Sequence, residues 1–175
     1  NYYTEEIRRI IKDNYGFDKL YAEGLSIKSA LDVDYQLHAL RALRSGIESY
    51  DKRHGWRGPV SNTKNESNWR QKLKDKKIDS SLGWEFAEII NIDESGIEFK
   101  IVNKKNKNIK KIESNSLKWA ITKTIQNSFK INDIIFVKKN SKEKWELKQY
   151  PKVDGAIVAI NPYNGKVKAL VGGFS

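Results

Sequence analysis

Cysteine and methionine are both absent from the 175 residues, and proline occurs only three times. Without cysteine there is no disulfide framework, no thiolate metal site and no cysteine nucleophile. Only His38 and His54 are available as imidazole donors, too few for a His-rich metal centre. Neither a metal nor a cofactor is therefore expected. Long apolar runs are also missing. The longest is Gly155-Ala-Ile-Val-Ala-Ile160, a buried-strand length far short of the about 18 residues a membrane helix needs. No secretory signal stands at Asn1, and residue 1 is not methionine, so a processed chain or a piece of a longer one is expected.

Positive charge is abundant but uneven. Lys and Arg number 33 against 22 Asp and Glu, giving a formal net charge of +11. Residues 1–60 carry +1, residues 61–150 carry +8 and residues 151–175 carry +2. Lysine supplies 26 of the basic groups, beside 20 Ile and 15 Asn, a joint excess that an AT-rich genome produces by itself. A solvated surface explains the middle segment, with a polyanion-binding face as the alternative.

Periodicity divides the chain. Thr4, Glu5 and Glu6 open a helix with Ile7, Ile10 and Ile11 on one stripe, and Gly16 ends it. Leu25–Ser29 alternates as a half-buried strand does. Asp32 caps a long helix whose apolar stripe is Val33, Leu37, Leu40, Leu43, Ile47 and Tyr50, with Gly55 as its stop. Residues 59–83 read as a polar connector carrying a short helix at Trp69 and Leu73. From Trp84 the period becomes two: Trp84–Ile92, Ile97–Val102, Ile109–Ile112, Ile134–Lys139 and Trp145–Gln149 are strands. Ser95-Gly96, Asn103–Asn108 and Asn140–Lys144 are turns. A fuller link, 114–133, follows the third strand. Five short strands in this order suit a barrel of the oligonucleotide/oligosaccharide-binding (OB) type, with an SH3-like barrel as runner-up. Residues 155–171 form a hairpin turning at Pro162–Gly165. The fold class is thus α+β: a mainly-β five-stranded OB-like barrel flanked by a helix–strand–helix segment and a C-terminal β-hairpin.

Catalytic constellations are weak. S-x-x-K, the pattern of serine acyltransferases, occurs at Ser61–Lys64 and Ser141–Lys144, about as often as 14 Ser and 26 Lys produce by chance. A lysine base must be desolvated, and both pairs sit in polar turns. Glu5-Glu6 and Asp93-Glu94 read as helix-start and turn residues, His54 as a helix-terminal histidine, and Asn65-Glu-Ser67 as a chance glycosylation triplet. No catalytic residue is assigned, and no acylation by penicillin is expected of this chain. The candidate interaction surface is Trp84, Phe99, Trp119 and Trp145, aromatics interleaved with lysine that either stack on a ligand or fill the core.

The flanks carry a resemblance. Asn1–Gly16, Leu20–Asp32 and Tyr35-Gln-Leu-His-Ala-Leu40 resemble the stretch after the glycosyltransferase domain of class A penicillin-binding proteins. Tyr50-Asp-Lys-Arg-His-Gly-Trp-Arg-Gly-Pro59 is similar to the next segment in the 1A branch. Trp145–Pro151, Val153–Pro162 and Asn164–Ser175 resemble the start of the transpeptidase domain. Ser29-Ala-Leu-Asp32 departs from the usual Thr-Thr-Leu-Asp. The resemblance implies an OB-like domain inserted between glycosyltransferase and transpeptidase domains of a peptidoglycan synthase, a β-lactam target whose motifs lie outside this chain. It implies the periplasmic portion of a bacterial protein anchored in the inner membrane. The implied partners are the rest of the synthase chain, a periplasmic regulatory protein or peptidoglycan; no specific nucleic acid is expected. A basic barrel binding single-stranded nucleic acid is the alternative; otherwise any such affinity is expected to be weak and to fall steeply as salt rises. The domains expected are 1–58, 59–83, 84–150 and 151–175, with 1–58 and 151–175 forming one discontinuous unit. In it, Leu37, Leu40 and Ile47 should touch Val158, Ile160, Val167 or Leu170.

Overall fold

The computed structural model describes residues 2–21, 25–76, 78–102 and 108–174, with side chains at all of these except 17–20. Two compact units result: residues 50–150 form one, and residues 1–49 with 151–174 form the other.

In the first unit the barrel is built by alternation. Strands β2 (Glu85–Asp93), β3 (Gly96–Ile101), β4 (Lys110–Glu113), β5 (Asp133–Lys139) and β6 (Trp145–Lys148) pair antiparallel. The ladders run β4-β3-β2-β5, with β6 on the other side of β5. That is the order of an OB barrel, and it decides against the SH3-like alternative. Ala87, Ile89, Ile97, Phe99, Ile101, Ile112, Ile135, Val137 and Leu147 form its buried core. Leu117, Ala120, Ile125 and Phe129 join them from the link between β4 and β5. That link holds α4 (Ser114–Leu117), a 3-10 turn (Lys118–Ala120) and α5 (Ile125–Ser128). The expected strands agree with the observed ones to within one or two residues.

The tight β2–β3 turn is fixed by Asp93, whose Oδ1 accepts from the Ser95 and Gly96 amides at 2.8 and 3.0 Å. Gly96 has φ 148, and a Cβ there would lie 2.0 Å from the Ile112 carbonyl oxygen. Gly96→Ala must therefore open the β3–β4 ladder. We expect it to lower the urea midpoint by the equivalent of about 2–3 kcal/mol, a strained backbone plus a lost ladder bond. A change below about 0.5 kcal/mol would contradict this geometry. Of the Asn103–Asn108 turn, residues 103–107 lie outside the described residues.

The segment read as a connector belongs to the barrel. β1 (Ser61–Asn62) pairs with β5, Ser61 opposite Ile134 and Asn62 opposite Asp133. Asn62 is buried and donates to Asp133 Oδ1 at 2.8 Å, while its own Oδ1 accepts from the Lys64 and Asn65 amides. Hydropathy hides this, because the buried groups are polar and mutually satisfied. The following helix α3 (Trp69–Asp75) and Leu82 add apolar cover, Leu73 and Leu82 both being buried. Such cover is needed because Ile134 and Phe136 alternate with the core residues of β5 yet are buried too.

In the second unit α1 (Tyr2–Tyr21) is two helical stretches joined at Gly16, whose φ 81 and ψ 171 break the helix. α2 (Val33–Arg53) is capped as expected, Asp32 Oδ1 accepting from the Asp34 and Tyr35 amides. The hairpin is β7 (Ala156–Ile160) with β8 (Val167–Gly172). Helix and hairpin meet although more than a hundred residues separate them. Gln36 donates to the Leu170 carbonyl at 3.0 Å and accepts from its amide at 2.9 Å. The Asp32 amide donates to Lys168, the Arg44 guanidinium to the Phe174 carbonyl and the Tyr3 hydroxyl to the Val167 carbonyl. Gly155 runs so close to the helix that a Cβ would sit 3.1 Å from Leu43 Cδ1.

Three expectations need correction here. The buried face of α2 is Ala39, Leu43 and Ile47, whereas Val33, Leu37 and Tyr50 are exposed. Val158 and Ile160 are also exposed, and the hairpin buries Ala169 and Val171 instead. The rotation of α2 is set by Gln36, bonded twice to Leu170, and by the close passage of Gly155 beside Leu43. Leu25–Ser29 lies in no helix or ladder, and Leu25 and Ile27 are exposed.

Candidate functional site

The four aromatics proposed as one surface occupy three places. Phe99 is wholly inside the barrel, with Trp145 edge-on to it at 5.5 Å. Trp119 is half-buried against the core, edge-on to Trp56 at 5.7 Å and beneath the Lys52 ammonium at 5.4 Å. Trp84 lies with Phe136 (5.6 Å) and Tyr150 (6.4 Å), on the outer side of the sheet. A common stacking platform is therefore not formed, and for Phe99 the core reading holds. The cause is strand parity: Phe99 shares the inward parity of Ile97 and Ile101.

Neither S-x-x-K pair is arranged for nucleophilic chemistry. The buried Ser61 hydroxyl donates to Glu66, not to Lys64. That bond, with the Lys72 ammonium at 2.9 Å, holds the Glu66 carboxyl below its ordinary value. Lys144 reaches Glu113 at 3.3 Å, and Ser141 is exposed. Among the described residues no cluster of three or more metal-ligating side chains is present. No helix of the described residues is long and apolar enough to cross a membrane.

What the sequence reading missed is a buried polar clasp. Asp51, at the end of α2, is almost completely buried. Arg57 meets its carboxylate with two bonds, at 2.8 and 2.9 Å. Gln149 donates to Asp51 Oδ2 at 2.8 Å and to the Gly55 carbonyl at 3.1 Å, while its Oε1 accepts from the Arg57 amide at 2.8 Å. Arg57 also donates to the Tyr150 carbonyl at 2.7 Å. The carboxylate, the guanidinium and the amide thus satisfy one another with the two-point geometry that makes such pairs strong. Residues 51–57 and 149–150, the first and last of the barrel unit, are bound side by side. The spacing in Asp51-Lys-Arg-His-Gly-Trp-Arg57 was visible, but its third member lies ninety residues away.

A barrel of OB strand order, closed at both chain ends by a clasp, is matched by a known family. The Penicillin-binding protein OB-like domain covers residues 56–153. The chain belongs to that family. The likeness extends beyond the OB-like domain into both flanks. Penicillin-binding protein 1A of Rickettsia typhi is 32% identical over 99% of this chain, and the chain spans 22% of that relative's length. Penicillin-binding protein 1A of Haemophilus influenzae is 27% identical over the whole chain, which spans 20% of it. The crystal structure of the Haemophilus influenzae protein superposes on 99% of this chain with a TM-score of 0.74, and 26% of that chain is covered. The resemblance to the 1A branch read from residues 1–59 and 145–175 is therefore confirmed. The OB-like domain of this chain is the middle of a segment about a fifth as long as the curated relatives it matches.

Proposed function

We propose that this chain is the noncatalytic OB-like module, with its flanks, of a bifunctional peptidoglycan synthase that joins a glycosyltransferase to a β-lactam-acylated D,D-transpeptidase. It acts in the periplasm, where it holds the two enzymatic domains in register. The carrying observation is the clasp of Asp51, Arg57 and Gln149, which brings the two ends of the barrel unit together. A domain whose ends meet can be inserted into a loop without unravelling its host. The host is the unit of residues 1–49 and 151–174, whose helix and hairpin bond across the insertion. The partners that fit this reading are the remainder of the synthase chain and a periplasmic regulatory protein. The nucleic-acid reading lacks its stacking platform, because Phe99 is buried and Trp119 and Trp145 pack against the core.

The test is a full-length synthase in which residues 50–150 are replaced by a short flexible linker. Acylation by a fluorescent penicillin should persist, because the host bonds are retained, while the yield of crosslinked glycan from lipid II should fall about tenfold, the loss expected when two sites lose a fixed spacing. Unchanged crosslinking would refute the spacing role.

A further inference from the structure

The outer face of the barrel carries a cleft that the clasp and the core do not use. Its volume is about 320 Å³, and its lining is Trp69, Arg70, Leu73, Lys74, Phe86 and Val102. The floor is Phe86 on β2 and Val102 just after β3, joined by the Val102 amide donating to the Phe86 carbonyl at 3.0 Å. The wall is α3. Trp69 and Leu73 are four residues apart and share one face; Arg70 and Lys74 are displaced by one residue and share the rim. The Arg70 guanidinium lies over the Trp69 ring, 4.4 Å from its centre, which holds the cation at the mouth.

The charge at this rim is uncommitted. Nearby lysines are neutralised: Lys100 by Glu88 at 3.1 Å and Lys72 by Glu66 at 2.9 Å. Arg70 and Lys74 make no ion pair with any described residue, and no carboxylate lines the cleft. Rings below with two cations on one side suit a ligand that is flat and apolar on one face, hydroxylated at its edge and singly anionic. The volume sits at the lower end of the about 300–1,000 Å³ typical of small-ligand sites. A nucleic-acid strand needs a continuous line of free cations. Among the described residues, the neutralised Lys72 and Lys100 leave Arg70 and Lys74 as the free cations of the cleft's lining.

We infer that this cleft binds a carboxylate-bearing amino-sugar unit of a glycan strand: the pyranose packs on Phe86 beside the Trp69 indole, and Arg70 and Lys74 receive the carboxylate. The inference rests on the peptidoglycan reading above, to which it adds a ligand site on the noncatalytic module. The two fail separately, since the linker experiment reads crosslinking in the full-length synthase and the cleft is read by binding to the 175-residue chain.

The experiment is titration of the 15N-labelled chain with muramyl dipeptide, following the indole N–H of Trp69, assigned through Trp69→Ala. N-acetylglucosamine disaccharide and single-stranded oligothymidylate are the comparison probes. The expected result is a saturable Trp69 shift with muramyl dipeptide, weakened about tenfold in Arg70→Gln or Lys74→Gln, the loss of one charge-assisted hydrogen bond. Both side chains are exposed, so these variants keep the fold, and unchanged dispersion of the remaining amides verifies it. The uncharged disaccharide should bind weakly. Absence of any Trp69 shift overturns the proposal. So does equal binding of the uncharged disaccharide, or binding indifferent to both substitutions. Tighter binding of oligothymidylate at about 150 mM salt would overturn it in favour of a single-strand site.

Discussion

Asp51→Ala is expected to destabilise the barrel unit by about 3 kcal/mol, as removing one partner of a buried ion pair does. The carboxylate is 3% exposed and Arg57 is 25% exposed, so the guanidinium left behind regains some water. That places the loss at the lower end of the about 3–5 kcal/mol range. Gln149 loses an acceptor as well and retains only the Gly55 carbonyl and the Arg57 amide. All five tryptophans, Trp56, Trp69, Trp84, Trp119 and Trp145, belong to residues 50–150. Urea unfolding followed by their fluorescence therefore reports this unit alone. Asp51→Asn should lose less, because its amide keeps one acceptor for Arg57 or Gln149. Equal stabilities of Asp51→Ala and the unaltered chain would mean that the barrel ends are held without the clasp. Such a result would also remove the observation on which the insertion reading rests.

Phe99→Ala should cost more, about 3–5 kcal/mol, the usual consequence of emptying a large aromatic site in a closed core. The ring is fully buried between facing strands and receives the edge of Trp145. No neighbouring loop can collapse into the void, because β2 and β4 clamp β3 on both sides. Val158→Ala provides the contrast. Its side chain is 51% exposed on the hairpin, and the change should stay within about 0.5 kcal/mol. The measurement is again urea unfolding, read by tryptophan fluorescence for Phe99→Ala and by amide exchange of β7 and β8 for Val158→Ala. A Phe99→Ala chain with native stability would restore Phe99 to the exposed surface and count against the barrel described here.

These two positions mark where sequence patterning was sufficient and where it stopped. Phe99 follows Ile97 and precedes Ile101 with a period of two, so its strand was legible. Its direction was not, since parity becomes inward or outward only after the barrel closes. Asp51 has the opposite history. It lay in a stretch read only for its helix-terminal His54 and its family resemblance, and Gln149 looked like the last residue of a strand. Only the folded chain shows them bonding one another. The Ser61–Gly83 segment was misread for a related reason: Asn62 and Asp133 are polar and buried together, and composition registers only the polarity.

By itself the sequence determined the elements that local chemistry controls. The β2–β3 turn at Asp93–Gly96, the Asp32 cap of α2, the five barrel strands and the hairpin are set by neighbours a few residues apart. So was the family, because the motifs in residues 1–59 and 145–175 keep their order whatever the fold between them. Tertiary structure alone decided which face of α2 is buried, since Gly155, Ala169 and Leu170 had to arrive from far along the chain before Ala39, Leu43, Ile47 and Gln36 could be covered. It also decided that Trp69 and Arg70 stand over Phe86 and Val102. Such pairings depend on loop closure and strand register, which only contacts distant in sequence can set.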